Sequence, residues 1–275
     1  MAFNVNEVII DRVRSLTCHD LGTKEMFLRL TSLEDPSLNT TAEGEEVTDA
    51  IGALITTLYR AKKATFSASN SLMSFDLAAA QYGSKKEVAS ADKKIVDYAY
   101  EILNVTDNKV VLAHKVANDA DLKYVYAIAD NQIGKSYVQG AAEKDGEFTV
   151  GTEQVQDGDN EKTVTAITFP ANTTGKVYVE YTYETENAIK VTNRASEFPE
   201  ACSVVIYAYF RDVCNENKIY SGKIICPKAK LNPESVELAM TSTGKHPFEF
   251  VVNRDYCAEE GEDTLFEIIL AGDKI

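Results

Sequence analysis

Apolar and polar residues alternate along much of this chain. The clearest case is Lys176 to Glu184, where Val177, Val179, Tyr181 and Tyr183 alternate with Tyr178, Glu180, Thr182 and Glu184. A period of two predicts a strand with one face turned inward. Asn172-Thr173-Thr174-Gly175 just before it reads as a turn. Cys202 to Phe210 is apolar or aromatic at nearly every position, which predicts a strand near the centre of a sheet and covered on both faces. Further strands are expected at Met26 to Leu33, Ala61 to Ser69, Lys109 to Val116, Lys123 to Ala129, Glu147 to Val150, Thr163 to Phe169, Ile219 to Cys226, Phe248 to Val252 and Leu265 to Leu270. Asp145-Gly146 and Asp157-Gly158 are turn signals between them.

One segment carries helical spacing. Leu72, Phe75, Ala79 and Tyr82 recur on one face, Ser69 or Asn70 can cap the start, and Gly83 can close the end in the left-handed conformation. Glu46 to Tyr59 is ambiguous: Val47, Ile51, Leu54, Ile55 and Leu58 fit a helix, whereas Gly52 and the threonines oppose one. Ala89 to Leu103 reads as a short helix followed by a strand, with Tyr98, Tyr100 and Ile102 alternating. The stretch from Glu34 to Glu46, with Pro36, Gly44 and several acids, reads as a long polar loop between two strands, of the kind that touches a partner. The expected division is 1–104 with its helix at 70–82, an inserted or elaborated β module at 105–187, and a second part of the first domain at 188–275.

Composition narrows the function. An apolar fraction of 44% and a charged fraction of 26% belong to a chain that folds around a core. With 28 basic and 43 acidic residues the net charge is −15. Basic residues occur only as short pairs such as Lys62-Lys63, Lys85-Lys86 and Lys93-Lys94, so a grip on nucleic acid is not expected. A surface past which DNA slides without sticking is compatible with that charge. The N-terminus lacks the basic start and apolar run of a secretion signal, and no segment is long and apolar enough for a membrane helix, which points to synthesis and retention in the cytoplasm. Cys18, Cys202, Cys214, Cys226 and Cys257 form no C-x-x-C pair and are expected as reduced, buried thiols. The sequons at Asn39, Asn104 and Asn172 read as accidents of a Thr-rich chain.

Candidate chemistry is thin. Cys18-His19-Asp20 holds three catalytic residue types, but sequence neighbours point apart, so a polar turn before Leu21-Gly22 is the reading preferred. His246 lacks the spacing of a zinc motif. The acidic runs Asp157 to Glu161 and Glu259 to Asp263 fail the order of a calcium loop and read as solvated turns. Phosphate-binding glycine loops and the G-x-S-x-G elbow are missing, and the absence of Trp removes the usual sugar-stacking platform. Neither catalysis, nor a cofactor, nor a metal is expected.

Taken in order, the segments resemble a known family. A strand at Met26 to Leu33, an acidic excursion, the strand Arg60-Ala61-Lys62-Lys63-Ala64-Thr65-Phe66-Ser67 and the helix Asn70 to Gly83 are followed, near the C-terminus, by Lys223-Ile224-Ile225-Cys226-Pro227-Lys228-Ala229-Lys230-Leu231, Val236-Glu237-Leu238 and His246-Pro247-Phe248-Glu249-Phe250. This succession resembles bacteriophage tail tube (major tail) proteins over Met26 to Gly83 and Val204 to Leu270. The resemblance implies a mainly-β fold, a β-sandwich or distorted barrel flanked by one α-helix, with an additional hairpin region mid-chain. It also implies hexameric rings stacked into a tube that conducts DNA and holds the tape-measure protein, in a virion tail assembled in the host cytoplasm, possible further partners being a sheath or a tail terminator. Under it the Glu34 to Tyr59 excursion reaches a neighbouring subunit or ring, with Glu34, Asp35, Asn39, Thr40, Glu43, Glu45 and Glu46 as expected contacts, and the two chain ends serve as arms in stacking. Six copies would carry a formal charge of −90 around a polyanion, which a conduit of low affinity requires. The rival readings are another virion component (sheath, decoration or baseplate) and a β-sandwich carbohydrate-binding or adhesive module, which the Tyr-rich strands permit.

Overall fold

The computed structural model describes residues 7–117, 122–130, 132–141, 144–158, 160–213, 218–234, 236–254 and 264–274. The chain opens with strands β1 (Val8–Asp20), β2 (Met26–Leu30), β3 (Leu33–Thr48) and β4 (Leu54–Asn70) and the helix α1 (Phe75–Tyr82). The middle holds β5 (Glu87–Val88), β6 (Ile95–Asn104), β7 (Lys109–Val111), β8 (Leu122–Ala129), β9 (Gln132–Ser136), β10 (Val138–Gln139), β11 (Glu147–Asp157), β12 (Asn160–Thr168), β13 (Lys176–Thr185) and β14 (Ile189–Lys190). The last part holds β15 (Ala201–Asp212), β16 (Ile219–Leu231), β17 (His246–Val252) and β18 (Glu267–Lys274). The protein is mainly β and sandwich-like, and among the described residues none of its sheets closes into a barrel.

Two compact units divide the chain, 1–86 with 191–275 and, between them in sequence, 87–190. The first is built on a sheet in the order β2-β1-β15-β16-β17-β4-β3, with β18 also paired to β16. As its apolar composition predicts, β15 lies centrally, between β1 and β16. Its residues alternate buried and half-buried, so only one face is fully covered, a correction to the two-sided burial expected. The core under that face gathers Leu16, Leu28, Phe66, Leu77, Ile206 and Phe250. Three expected thiols, Cys18, Cys202 and Cys226, lie free and buried in the same core, while Cys214 and Cys257 fall outside the described residues.

The helix is shorter than its spacing predicts. Asn70 stays in the ladder, opposite His246 on one side and Leu33 on the other, so the strand runs past the expected cap. Ser74 caps instead, its hydroxyl accepting from the Leu77 amide at 3.2 Å, and Leu72 and Phe75 are left exposed. The closing glycine is where the sequence puts it: Gly83 has φ +68, and a Cβ there would lie 2.3 Å from the Phe198 carbonyl.

The second unit is a sandwich of two four-stranded sheets, β10-β11-β12-β7 and β6-β13-β8-β9. Phe148, Ile167 and Phe169 from one sheet pack with Val125, Val179 and Tyr181 from the other. The alternation in β13 holds, with Val177, Val179 and Tyr181 inside. The expected helix before β6 does not form; the chain bends there and enters the strand at Ile95. β6 pairs along its whole length with β13, so Tyr98, Tyr100 and Ile102 belong to this unit. β5 and β14 pair, which brings the start and end of the unit onto adjacent strands.

Candidate assembly surface

The feature that stands apart in the first unit is the hairpin of β3 and β4. From Ala64 to Asn70, β4 is held between β17 and β3, and its residues alternate buried and half-buried. From Lys63 outward the only pairing among the described residues is β3 with β4. Between Asn39 and Lys63 every residue except Thr57 is exposed. A two-stranded ribbon wet on both faces is marginal in water unless something else packs on it. The Glu34 to Glu46 stretch is therefore strand rather than loop, and the ambiguous Glu46 to Tyr59 segment is the hairpin tip, not a helix. Its threonines suit the pleat, and the Asp49 carboxylate accepts from the amides of Ile51 and Ala53 at 3.0 and 2.8 Å, closing the turn with Gly52 at φ +85.

The residues expected to make contacts divide by position along this arm. Glu34 and Asp35 sit at its foot, where Lys245 Nζ lies 2.5 Å from Glu34 Oε2 and 3.1 Å from Asp35 Oδ2. That ammonium, with the Ser71 hydroxyl donating at 2.6 Å, holds the Glu34 carboxyl below the usual carboxylate range. Asn39 and Thr40 stand opposite Thr65 and Ala64, where the arm leaves the core. Glu43 and Glu45 face basic residues on the returning strand, Lys63 and Arg60, each at 3.4 Å. Glu46 pairs with Thr57 near the tip. Acids thus occupy the outgoing strand and bases the returning one.

Apolar residues were missing from that expected set. Ile51 is 89% exposed, Ile55 64% and Tyr59 75%. Their signal was in the sequence, in the apolar positions that also fitted a helix; on a strand ribbon they fall on both faces with no core to receive them. Tyr59 lies over Gly44, whose missing side chain makes room for the ring. Between the exposed and buried parts the register slips, and Ala61 takes φ +48, the signature of a bulge that adds twist and re-aims the arm.

Among the described residues, other margins of the sheet are also open. The first half of β1 pairs on one side with β15, while β2 covers only its second half, leaving Ile9 and Ile10 exposed. β18 carries exposed Ile268 and Ile269. Unpaired edges of this kind are templates for another strand.

The catalytic candidates do not assemble. Cys18, His19 and Asp20 close β1 rather than forming a turn; Cys18 points into the core, and Asp20 caps the following turn by accepting from the amides of Gly22 and Thr23. His246 is buried in a packing role. Gln81 donates its amide to the Pro247 carbonyl at 3.0 Å, which turns its Oε1 toward His246 Nε2 at 2.7 Å, and Nδ1 accepts from the Ser74 amide at 3.4 Å. Burial lowers the imidazole pKa. Among the described residues no cluster of His, Cys, Asp or Glu could hold a metal. Asp157, Gly158 and Asn160 form the β11–β12 hairpin end; Asp159 and the run Glu259 to Asp263 lie outside the described residues.

Among the described residues, open sheet margins and an arm with no third layer upon it suit a building block that assembles with others. The chain belongs to the YomU/Tube protein family, whose profile matches residues 8–256. It is a bacteriophage tail tube protein, a component of the virion tail that self-associates into a tube. No curated protein matches it.

Proposed function

We propose that six copies close into a ring, that rings stack into the tail tube, and that the tube conducts DNA during ejection and holds the tape-measure protein before it. The observation that carries this reading is the arm: a polypeptide hairpin exposed from Asn39 to Lys63 needs a third surface, and in a tube that surface is another copy of the chain. Glu34, Asp35, Asn39, Thr40, Glu43, Glu45 and Glu46 contribute the polar part of the contact, and the apolar tip anchors it. The acid and base strands of one arm offer complementary charge to those of the next. The module spanning 105–187, together with the strand before it, elaborates the tube fold, and the pairing of the short strands β5 and β14 that flank it suits an insertion. A sheath or a tail terminator would contact the finished tube, which is built in the host cytoplasm. Acids outnumber bases along the bore, so the passing polyanion is not held.

Electron microscopy of the purified protein, alone and seeded with tube fragments, tests this. Rings of six and hollow tubes with an acidic bore are the expected result. Seeded protein that stays monomeric, or a bore lined by Lys and Arg, overturns it.

A further inference from the structure

The outer face of the β6-β13-β8 sheet in the second unit is lined with tyrosine. Registers place Ile102, Tyr178 and Tyr126 in one row across the strands and Tyr100, Glu180 and Tyr124 in the next, with Tyr98 beyond. Tyr98 is 71% exposed, Tyr100 69% and Tyr124 53%. The rings lie in near-parallel pairs: Tyr100 and Tyr178 are 5.9 Å apart at 21°, and Tyr124 and Tyr126 6.0 Å apart at 20°. Side chains of sandwich strands normally turn polar where they face water. Here the solvent face presents flat rings around a carboxylate.

That carboxylate decides the occupant. Glu180 stands between Tyr100 and Tyr124, and the Tyr178 hydroxyl donates to its Oε2 at 3.0 Å, which orients it. Tyrosine is common at the centres of protein–protein interfaces but charge is depleted there, so it is the acid in the middle of the patch that argues against a protein partner. It argues equally against an anionic polymer, as does the net charge of −15. A neutral sugar chain satisfies both parts: the C–H faces of pyranose rings lie on the tyrosines, and ring hydroxyls donate to Glu180 and exchange hydrogen bonds with the phenols. We propose that this face binds a neutral hexopyranose polymer. The sequence expectation that lack of Trp removes a stacking platform is met by tyrosine instead.

The proposal is independent of the tube reading, so the test uses full-length protein carrying Ile51→Ser and Ile55→Ser to limit assembly. Affinity electrophoresis and calorimetry with soluble α-1,4-, β-1,3- and β-1,4-linked glucans are compared with poly(glycerol phosphate). At least one glucan is expected to bind. Tyr100→Ala and Tyr124→Ala, which sit on different strands and are both exposed, should each weaken it by about ten-fold. Glu180→Gln should weaken it by about three-fold or more, with melting temperature checking the fold of each variant. No glucan binding, unchanged binding in both tyrosine variants, or preference for poly(glycerol phosphate) overturns the proposal. So does a loss of tube assembly, rather than of glucan binding, when Tyr100→Ala and Tyr124→Ala are introduced into the protein with Ile51 and Ile55 intact, since that would mark the face as a contact between copies.

Discussion

Replacing Ile51 and Ile55 by serine separates folding from assembly. Full burial of an isoleucine side chain is worth roughly 1.5–3 kcal/mol. The two side chains are 89% and 64% exposed in the subunit, so most of that stabilisation is absent before assembly. The fold should therefore hardly notice the change, with a melting temperature within about 2 °C of the parent. If the tip is covered in the tube, the two sites together withhold about 2–4.5 kcal/mol per subunit from assembly. This corresponds to a critical concentration higher by roughly 30- to 2,000-fold. Sedimentation velocity across a concentration series, with micrographs of the pelleted material, measures it. Tubes that form at the parent concentration would refute the reasoning, because the tip would then be solvent-exposed in the assembly too; a fall in melting temperature of more than about 5 °C would show that the tip already packs within the subunit.

Gly83→Ala tests the close of the helix: at φ +68, with a Cβ 2.3 Å from the backbone of Phe198, the alanine is strained and has no flexible neighbour to displace, so a loss of more than about 2 kcal/mol in denaturant unfolding is expected. His246 gives a pH signature. Its folded pKa is depressed by burial, so between the folded and unfolded pKa values the unfolded state binds more protons, and stability is full above about pH 6.5 and falls as acid is added. His246→Gln, compared with the parent between pH 5 and 8, should flatten that slope; equal slopes would refute the assignment.

Much of the secondary structure is legible because alternation is local. β13, β15 and the helix-closing Gly83 follow from residue spacing and from the φ that glycine permits. The arm departs from the sequence expectation for a definable reason. Pro36, Gly44 and a run of acids oppose a strand in a sheet interior, yet β3 lies at an edge where Pro36 falls within a bulge and the charged side chains stay in water. The helix start was misplaced because Asn70 is claimed by the ladder on both sides, through pairings with His246 and Leu33 that are distant in sequence. The tyrosine face shows the same division. Each tyrosine alternates visibly along its own strand, but only the register of β6 against β13 and of β13 against β8 brings Tyr100, Glu180 and Tyr124 into one row.

What the sequence alone determined, then, is a β-rich chain of strong negative charge, its strands marked by a period of two and its one helix closed by glycine. Which strand lies at an edge, how far the hairpin runs beyond the core and which rings share a face were decided by tertiary structure. Pairing between distant segments sets these, and hydrogen bonding between strands depends on register across the sheet, information that no single stretch of chain contains.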